Sequence, residues 1–249
     1  MLQGFCGLQN GKSILSCNVL GRCHMQCNHH SCLHIVPLFQ NLDDQQMHAI
    51  DAITREHTYT DGQLIYYAGE LSGSLFVVHT GKVKIYRLDS EGEQQVIRIL
   101  SPGEFTGELA LFSKEPVQDF AQAIGDCSLC LVNGEAMRTL LVTYPLIALK
   151  ITQELSRRLL QSDATLHSVA KGTAEQRLAG YLVGLSQKAH SNTIYLPVAK
   201  GTLASLLAMN QETLSRRLKI LEEEEVIIGE KGRKITILDR EALEMRTLQ

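Results

Sequence analysis

The sequence predicts an α+β chain: an antiparallel β-roll, then one long helix, then a winged helix-turn-helix. Three observations carry this. Short apolar runs punctuated by glycine fill residues 33 to 132, an uninterrupted helical stretch runs from Tyr144-Pro145 to about Val169, and two short amphipathic helices three residues apart precede a β-hairpin near the C-terminus. With 249 residues, 44% hydrophobic and 20% charged, the composition is that of an ordinary globular chain of two modest domains, and it argues against a disordered or collagen-like one. No apolar run reaches about 18 residues, so no membrane span is expected. The first residues lack the compact apolar block of a signal peptide, so a cytoplasmic location is expected.

The net charge of -3 is unevenly divided. Residues 1–170 hold 12 Lys+Arg against 17 Asp+Glu, and residues 171–249 hold 12 against 10, a mildly basic end compatible with nucleic acid. Five of the seven cysteines fall in the first 32 residues. An odd number this small in a chain this long does not make a disulfide scaffold. Residues 1–31 show no sustained apolar period and read as a Cys/His-rich tail, either disordered or ordered by a ligand. Met25 lies inside it and is an alternative start to Met1.

Residues 32–134 read as the β-roll. Leu64-Ile65-Tyr66, Leu75 to Val78, Val83 to Tyr86, Val96 to Leu100 and Ser128 to Val132 are strand-like, and Gly62, Gly69, Gly73, Gly81, Gly92, Gly103, Gly107 and Gly125 separate them. Short strands at such spacing mark an antiparallel sandwich or barrel.

Residues 135–170 turn helical. Ala148, Leu155, Ser162 and Val169 recur every seven residues, with Ile151, Thr152, Leu159 and Leu166 filling the companion positions, which is a coiled-coil stripe. A helix of about 25 residues outruns a small roll, so a homodimer seam is expected, against the alternative of a core helix on its own β-domain.

Residues 171–249 read as the winged helix-turn-helix. An amphipathic helix over 173–187 and a strand at Ile194 to Pro197 lead to a helix from Lys200 to Leu207, a break at Ala208-Met209-Asn210, and a second helix from Gln211 to Glu225. Asn210 suits the N-cap. Leu214, Leu218 and Leu221 share one face; Glu212, Ser215 and Arg216 share another. Arg bonds guanine O6 and N7, and Glu accepts from cytosine N4, so this trio has the chemistry of base readout. Val226 to Ile228 and Lys234 to Ile237 form a wing whose Lys231, Arg233 and Lys234 suit phosphates. Thr202 and Arg217 join the phosphate set, and Gln211 the base-contacting set. Four carboxylates, Glu222 to Glu225, must point away from DNA.

This order of elements resembles the Crp/Fnr family of bacterial transcription regulators, and most closely the Fnr-like proteins of lactic acid bacteria and other Firmicutes. The stretches that carry the resemblance are Gly69-Glu70 to Val78 with Gly81-Lys82-Val83, Pro102 to Phe105 with Gly107-Glu108-Leu109, and Glu212-Thr213-Leu214-Ser215-Arg216. It extends from Leu33 to Ile237. It implies a cyclic-nucleotide-binding-like roll, double-stranded DNA and RNA polymerase as partners, and a TTGAT-type half-site read by Glu212, Ser215 and Arg216. Gln211 departs from the family's residue before that Glu, and Ala208 replaces the usual turn glycine.

In cyclic-nucleotide members an Arg-Ser pair follows the Gly-Glu-Leu motif and clamps the phosphate. Here Gln118 and Asp119 stand there, and Asp119 would repel an anion, so cyclic AMP is not expected. Iron-sulfur members carry three N-terminal cysteines and a fourth in the roll, which points to Cys23, Cys27, Cys32 and Cys130 as ligands of a [4Fe-4S] cluster. The Cys-x3-Cys-x4-Cys spacing departs from that branch. The segment Cys27 to Cys32 followed by Val36-Pro37-Leu38-Phe39 is closer to relatives with a dithiol/disulfide switch, which would pair Cys32 with Cys130. Cys127 reads as a core thiol. His24, His29, His30 and His34 beside Cys27 and Cys32 offer zinc chemistry without a clean second ligand pair.

No nucleophile-base pair, Walker loop or HExxH occurs, so no enzyme is expected. The alternatives to a DNA-binding regulator are a ligand-binding protein acting on a protein partner, or a regulator sensing a small molecule in the roll.

Overall fold

The computed structural model describes residues 15–17, 23–25, 36, 39, 42–113, 115–230 and 233–247, with backbone alone at 15–17, 23–25, 110, 111 and 161–171. The tail, read from sequence as disordered or ordered by a ligand, holds a short antiparallel pair, β1 (Leu15–Cys17) against β2 (Cys23–Met25). The first helix, α1 (Asp44–Asp51), was not anticipated from the sequence. Its capping box is complete: Asp43 accepts from Gln46 N, and the Gln46 side chain accepts from Asp43 N, satisfying first-turn amides. Met47 and Ile50 bury its inner face.

The roll comprises β3 (Thr54–Tyr59), β4 (Leu64–Tyr66), β5 (Ser74–Leu88), β6 (Gln94–Leu100), β7 (Phe105–Thr106), the single-turn α2 (Leu109–Phe112) and β8 (Phe120–Asn133). The sheet runs β3-β8-β5-β6, with β4 added to β8 and β7 to β5. β5 and β8 are 15 and 14 residues long, well beyond the short strands read from sequence, and they pair from Ser74↔Asn133 to Tyr86↔Phe120. The cause is that two glycines read as turns are bends within strands. Gly81 sits at φ +77 where a Cβ would lie 2.5 Å from Cys127 Cβ, so the strand bends there without a side chain and continues.

Successive residues of β5 and β8 feed two cores. Leu75, Val77, Cys130 and Val132 join Val36, Phe39, Met47, Ile50, Phe105 and Met137 in one; Phe76, Val78, Cys127 and Leu129 join Ile85, Leu100 and Ala121 in the other. Both faces are covered, which is why Leu75-Phe76-Val77-Val78 reads as a continuous apolar run.

The helical region 135–170 comprises a short helix and then the long one expected from Tyr144-Pro145. α3 (Gly134–Thr143) ends at Tyr144 because a residue before proline is driven out of the helical region, and α4 (Pro145–Lys171) opens on Pro145. Ile147 and Ile151 of α4 are fully buried against the first core, and Leu155 packs beside them. Leu146, Leu149, Leu159 and Leu160 are exposed. Two of the expected seam residues, Ile151 and Leu155, are thus covered by their own roll. Ala148 is half-buried, Thr152 and Leu159 face outward, and the side chains of Ser162, Leu166 and Val169 lie outside the described residues.

The C-terminal unit comprises α5 (Ala174–Ala189), β9 (Thr193–Tyr195), α6 (Lys200–Leu206), α7 (Gln211–Glu223), β10 (Ile227–Gly229), β11 (Lys234–Ile237) and α8 (Arg240–Met245). The sheet order is β10-β11-β9. Leu178, Leu182, Leu203, Leu214, Leu218, Leu221, Ile235 and Leu243 form its core. Among the described residues, no helix is long and apolar enough to cross a membrane.

Candidate nucleic-acid interface

α7 is held by its inner face and presents its outer one. Asn210 caps it, its side-chain oxygen accepting from Thr213 N at 2.7 Å, and Leu214, Leu218 and Leu221 are buried. Gln211, Glu212, Ser215 and Arg216 are all exposed on the remaining face. The helix-turn-helix therefore brings the predicted base-contacting residues together within two turns at its N-terminal end, and among the described residues their side chains have no hydrogen-bond or ion-pair partner.

The turn between α6 and α7 contains Ala208 at φ +51, the left-handed region that glycine adopts at no steric cost. Arg177 of α5 secures this turn: its Nε donates to Leu207 O at 2.7 Å, its Nη2 to Ala208 O at 3.1 Å, and its Nη1 to Gly172 O at 2.6 Å. One guanidinium thus ties the turn to the junction of α4 and α5. The sequence carries no signal for it, since two of the three partners are backbone carbonyls about 30 residues away.

The expected phosphate contacts divide. Thr202 is half-buried on α6, facing a polar cleft of about 510 Å³ that Lys84, Glu93 and Ser205 also line. Arg217 points inward, its Nη1 3.1 Å from Glu175 Oε2. Arg233 is exposed at the end of the wing, Lys234 lies 2.8 Å from Glu230, and Lys231 falls outside the described residues. The acidic run is partly neutralised by the chain itself, since Glu224 and Glu175 both pair with Arg246 and Glu223 pairs with Lys219.

In the roll, Asp119 is engaged by Arg87 at 2.7 Å. Glu108 of the Gly-Glu-Leu stretch lies between two cations, 3.5 Å from Arg98 and 3.7 Å from Arg158 of α4. Arg98 also donates to Thr106, whose hydroxyl bonds Tyr66 at 2.8 Å; burial pushes the Tyr66 hydroxyl up to about 12. Gly107 makes the approach possible: at φ +82, its Cβ would meet Ser74 O at 2.5 Å.

Cys130 is fully buried in the core that also contains Val36, while Cys127 belongs to the other core, where burial raises its thiol. The side chains of Cys23, Cys27 and Cys32 lie outside the described residues. Among the described residues, no cluster of His, Cys, Asp and Glu could hold a metal ion.

Two family models match the chain, a cyclic nucleotide-binding domain over residues 56–144 and a Crp-like helix-turn-helix domain over 176–246. The probable transcriptional regulator flp of Lacticaseibacillus casei is 31% identical over 86% of this chain and 97% of its own length. The anaerobic regulatory protein of Haemophilus influenzae is 26% identical over 95% of this chain and 92% of its own. The structure of FixK2 from Bradyrhizobium japonicum superposes with a TM-score of 0.70 at 24% identity, covering 78% of this chain and 96% of that one. With a roll, a long helix and a capped helix-turn-helix in this order, and with a relative of this similarity along nearly its full length, the chain belongs to the Crp/Fnr family of transcription regulators.

Proposed function

We propose that this regulator acts as a cytoplasmic homodimer, reads an inverted repeat of TTGAT-type half-sites, and couples that readout to the redox state of its cysteines. The observation that carries the reading is the open α7 face, where Gln211, Glu212, Ser215 and Arg216 stand exposed together. In this scheme residues 1–31 are a tail, 32–134 the sensor, 135–170 the dimerisation segment and 171–249 the reader. Phosphates are held by Thr202, Lys231, Arg233 and Lys234, and by Arg217 once it exchanges Glu175 for a phosphate. RNA polymerase is the partner such a DNA-bound dimer would recruit.

Dimerisation rests on the exposed Leu149, Leu159 and Leu160 of α4. The redox reading rests on Val36 and Cys130 sharing one core. Cys32 lies four residues before Val36, a reach of about 14 Å when extended, so it can approach Cys130. The same pairing could serve a disulfide or, with Cys23 and Cys27, a [4Fe-4S] cluster. The roll residues do not suit a cyclic nucleotide: Asp119 stands where a phosphate needs a cation, and it is already paired with Arg87.

Titration of a labelled TTGAT inverted repeat with the purified protein tests the reading. Specific binding that weakens linearly in log affinity with log salt is expected, and equal affinity for scrambled DNA would overturn it.

A further inference from the structure

β6 is the edge strand of the roll's sheet, and an edge leaves a row of N–H and C=O groups without ladder partners. Here a helix from the other unit meets it. Ser205 of α6 donates from Oγ to Gln94 O at 2.6 Å and accepts on the same oxygen from Val96 N at 2.8 Å. A hydroxyl suits this edge because it donates and accepts at once. The Gln95 side chain adds a third bond, donating to Ser205 O at 2.6 Å. Beside them Lys82 Nζ donates to Pro197 O at 2.6 Å, and Ile99 and Ile124 of the roll pack against the core of the C-terminal unit.

Gln211, Glu212, Ser215 and Arg216 stay exposed while this contact is made. Covalently, the two units are joined through Gly172 and Thr173, between α4 and α5. Glycine leaves that joint permissive, so the direction of α7 depends on what else grips the domain.

We propose that Ser205 clasps the helix-turn-helix to the edge of the roll and so sets the angle at which the recognition helix is presented, making it a positioning residue for DNA recognition. The functional half rests on the DNA-binding reading above, whereas the clasp itself is testable without DNA. Two recognition helices of a dimer must enter successive major grooves about 34 Å apart, so a fixed angle on each shows up as a strict demand on half-site spacing.

The test compares the full chain with Ser205→Ala and Ser205→Thr. Amide exchange reports the clasp: in Ser205→Ala the Val96 amide should exchange on the order of tenfold faster while that of Leu129, deep in β8, is unchanged. DNA binding reports the positioning: affinity for the preferred inverted repeat should fall on the order of tenfold, and the penalty for one base pair added between half-sites should shrink. Ser205→Thr, which keeps the hydroxyl, should restore both. A Val96 amide as fast in the parent as in Ser205→Ala overturns the clasp. A protected Val96 amide with the same spacing preference in all three proteins overturns the positioning role. Parent protein that protects Val96 yet binds no inverted repeat overturns the DNA-binding reading and the positioning role with it, leaving a structural clasp.

Discussion

The Arg158 guanidinium lies 3.7 Å from the centroid of the Phe105 ring and donates from Nη1 to the Phe105 carbonyl at 3.0 Å. A planar cation over an aromatic face gains from the ring quadrupole, and the same group reaches Glu154 at 3.2 Å and Glu108 at 3.7 Å. One side chain therefore joins the long helix to the Gly107-Glu108 turn of the roll. Removing it would leave Glu108, whose Oε2 is buried without a hydrogen-bond partner among the described residues, with Arg98 as the remaining close cation among them.

Arg158→Ala is expected to lower the unfolding free energy by about 2 kcal/mol, from the lost stacking, the lost charge-assisted bonds and the exposed imbalance at Glu108. Arg158→Lys should recover little, because an ammonium neither stacks nor forks. Urea denaturation monitored by circular dichroism measures both, and an unchanged midpoint in Arg158→Ala would show that this contact does not stabilise the chain.

Leu149 and Leu160 are 54% and 71% exposed in the single chain, so charging them takes nothing from its core. Leu149→Glu and Leu160→Glu should convert a dimer to a monomer in sedimentation at micromolar concentration. Parent protein that sediments as a monomer under both oxidising and reducing conditions would sink the dimer.

Arg216→Ala should cost about 1–3 kcal/mol of specific binding and relax preference at one base position. Lys231→Ala should instead weaken all sequences alike and reduce the salt slope by about one. Competition binding against a panel of single-base variants separates the two patterns, and an unaltered profile for Arg216→Ala means that α7 reads DNA by other side chains.

Ala208→Gly should stabilise the protein by about 0.5–1 kcal/mol, since relief of the left-handed backbone outweighs the added freedom of the unfolded glycine. Its Tm should rise, and a fall would show that the methyl group packs more than the backbone strains.

Diamide treatment followed by peptide mass mapping should yield a Cys32–Cys130 disulfide and change DNA affinity. Cys32→Ser and Cys130→Ala, the latter chosen to avoid burying a hydroxyl, should abolish that response. Variants as redox-responsive as the parent would leave Cys130 as a core filler.

The order of the modules, the Asn210 cap, the Leu214, Leu218 and Leu221 stripe and the exposed Glu212, Ser215 and Arg216 were legible in the sequence because each depends on neighbours within one or two helical turns. β3 was not legible, since Thr54–Tyr59 has no apolar run and becomes a strand by pairing with Ser128 and its neighbours. Nor were the lengths of β5 and β8, because a glycine looks the same at a turn and at a bend inside a long strand. Heptad spacing marks the apolar side chains of α4, but it cannot say which the roll will cover. Ile151 and Leu155 went to the roll, and Leu149 and Leu160 were left outside. Arg177, Ser205 and Arg158 gain their roles from partners about 30, 110 and 50 residues away along the chain. Polar contacts of that range leave no periodic trace in a sequence, since only the packing of strands and helices brings a single donor to a single acceptor.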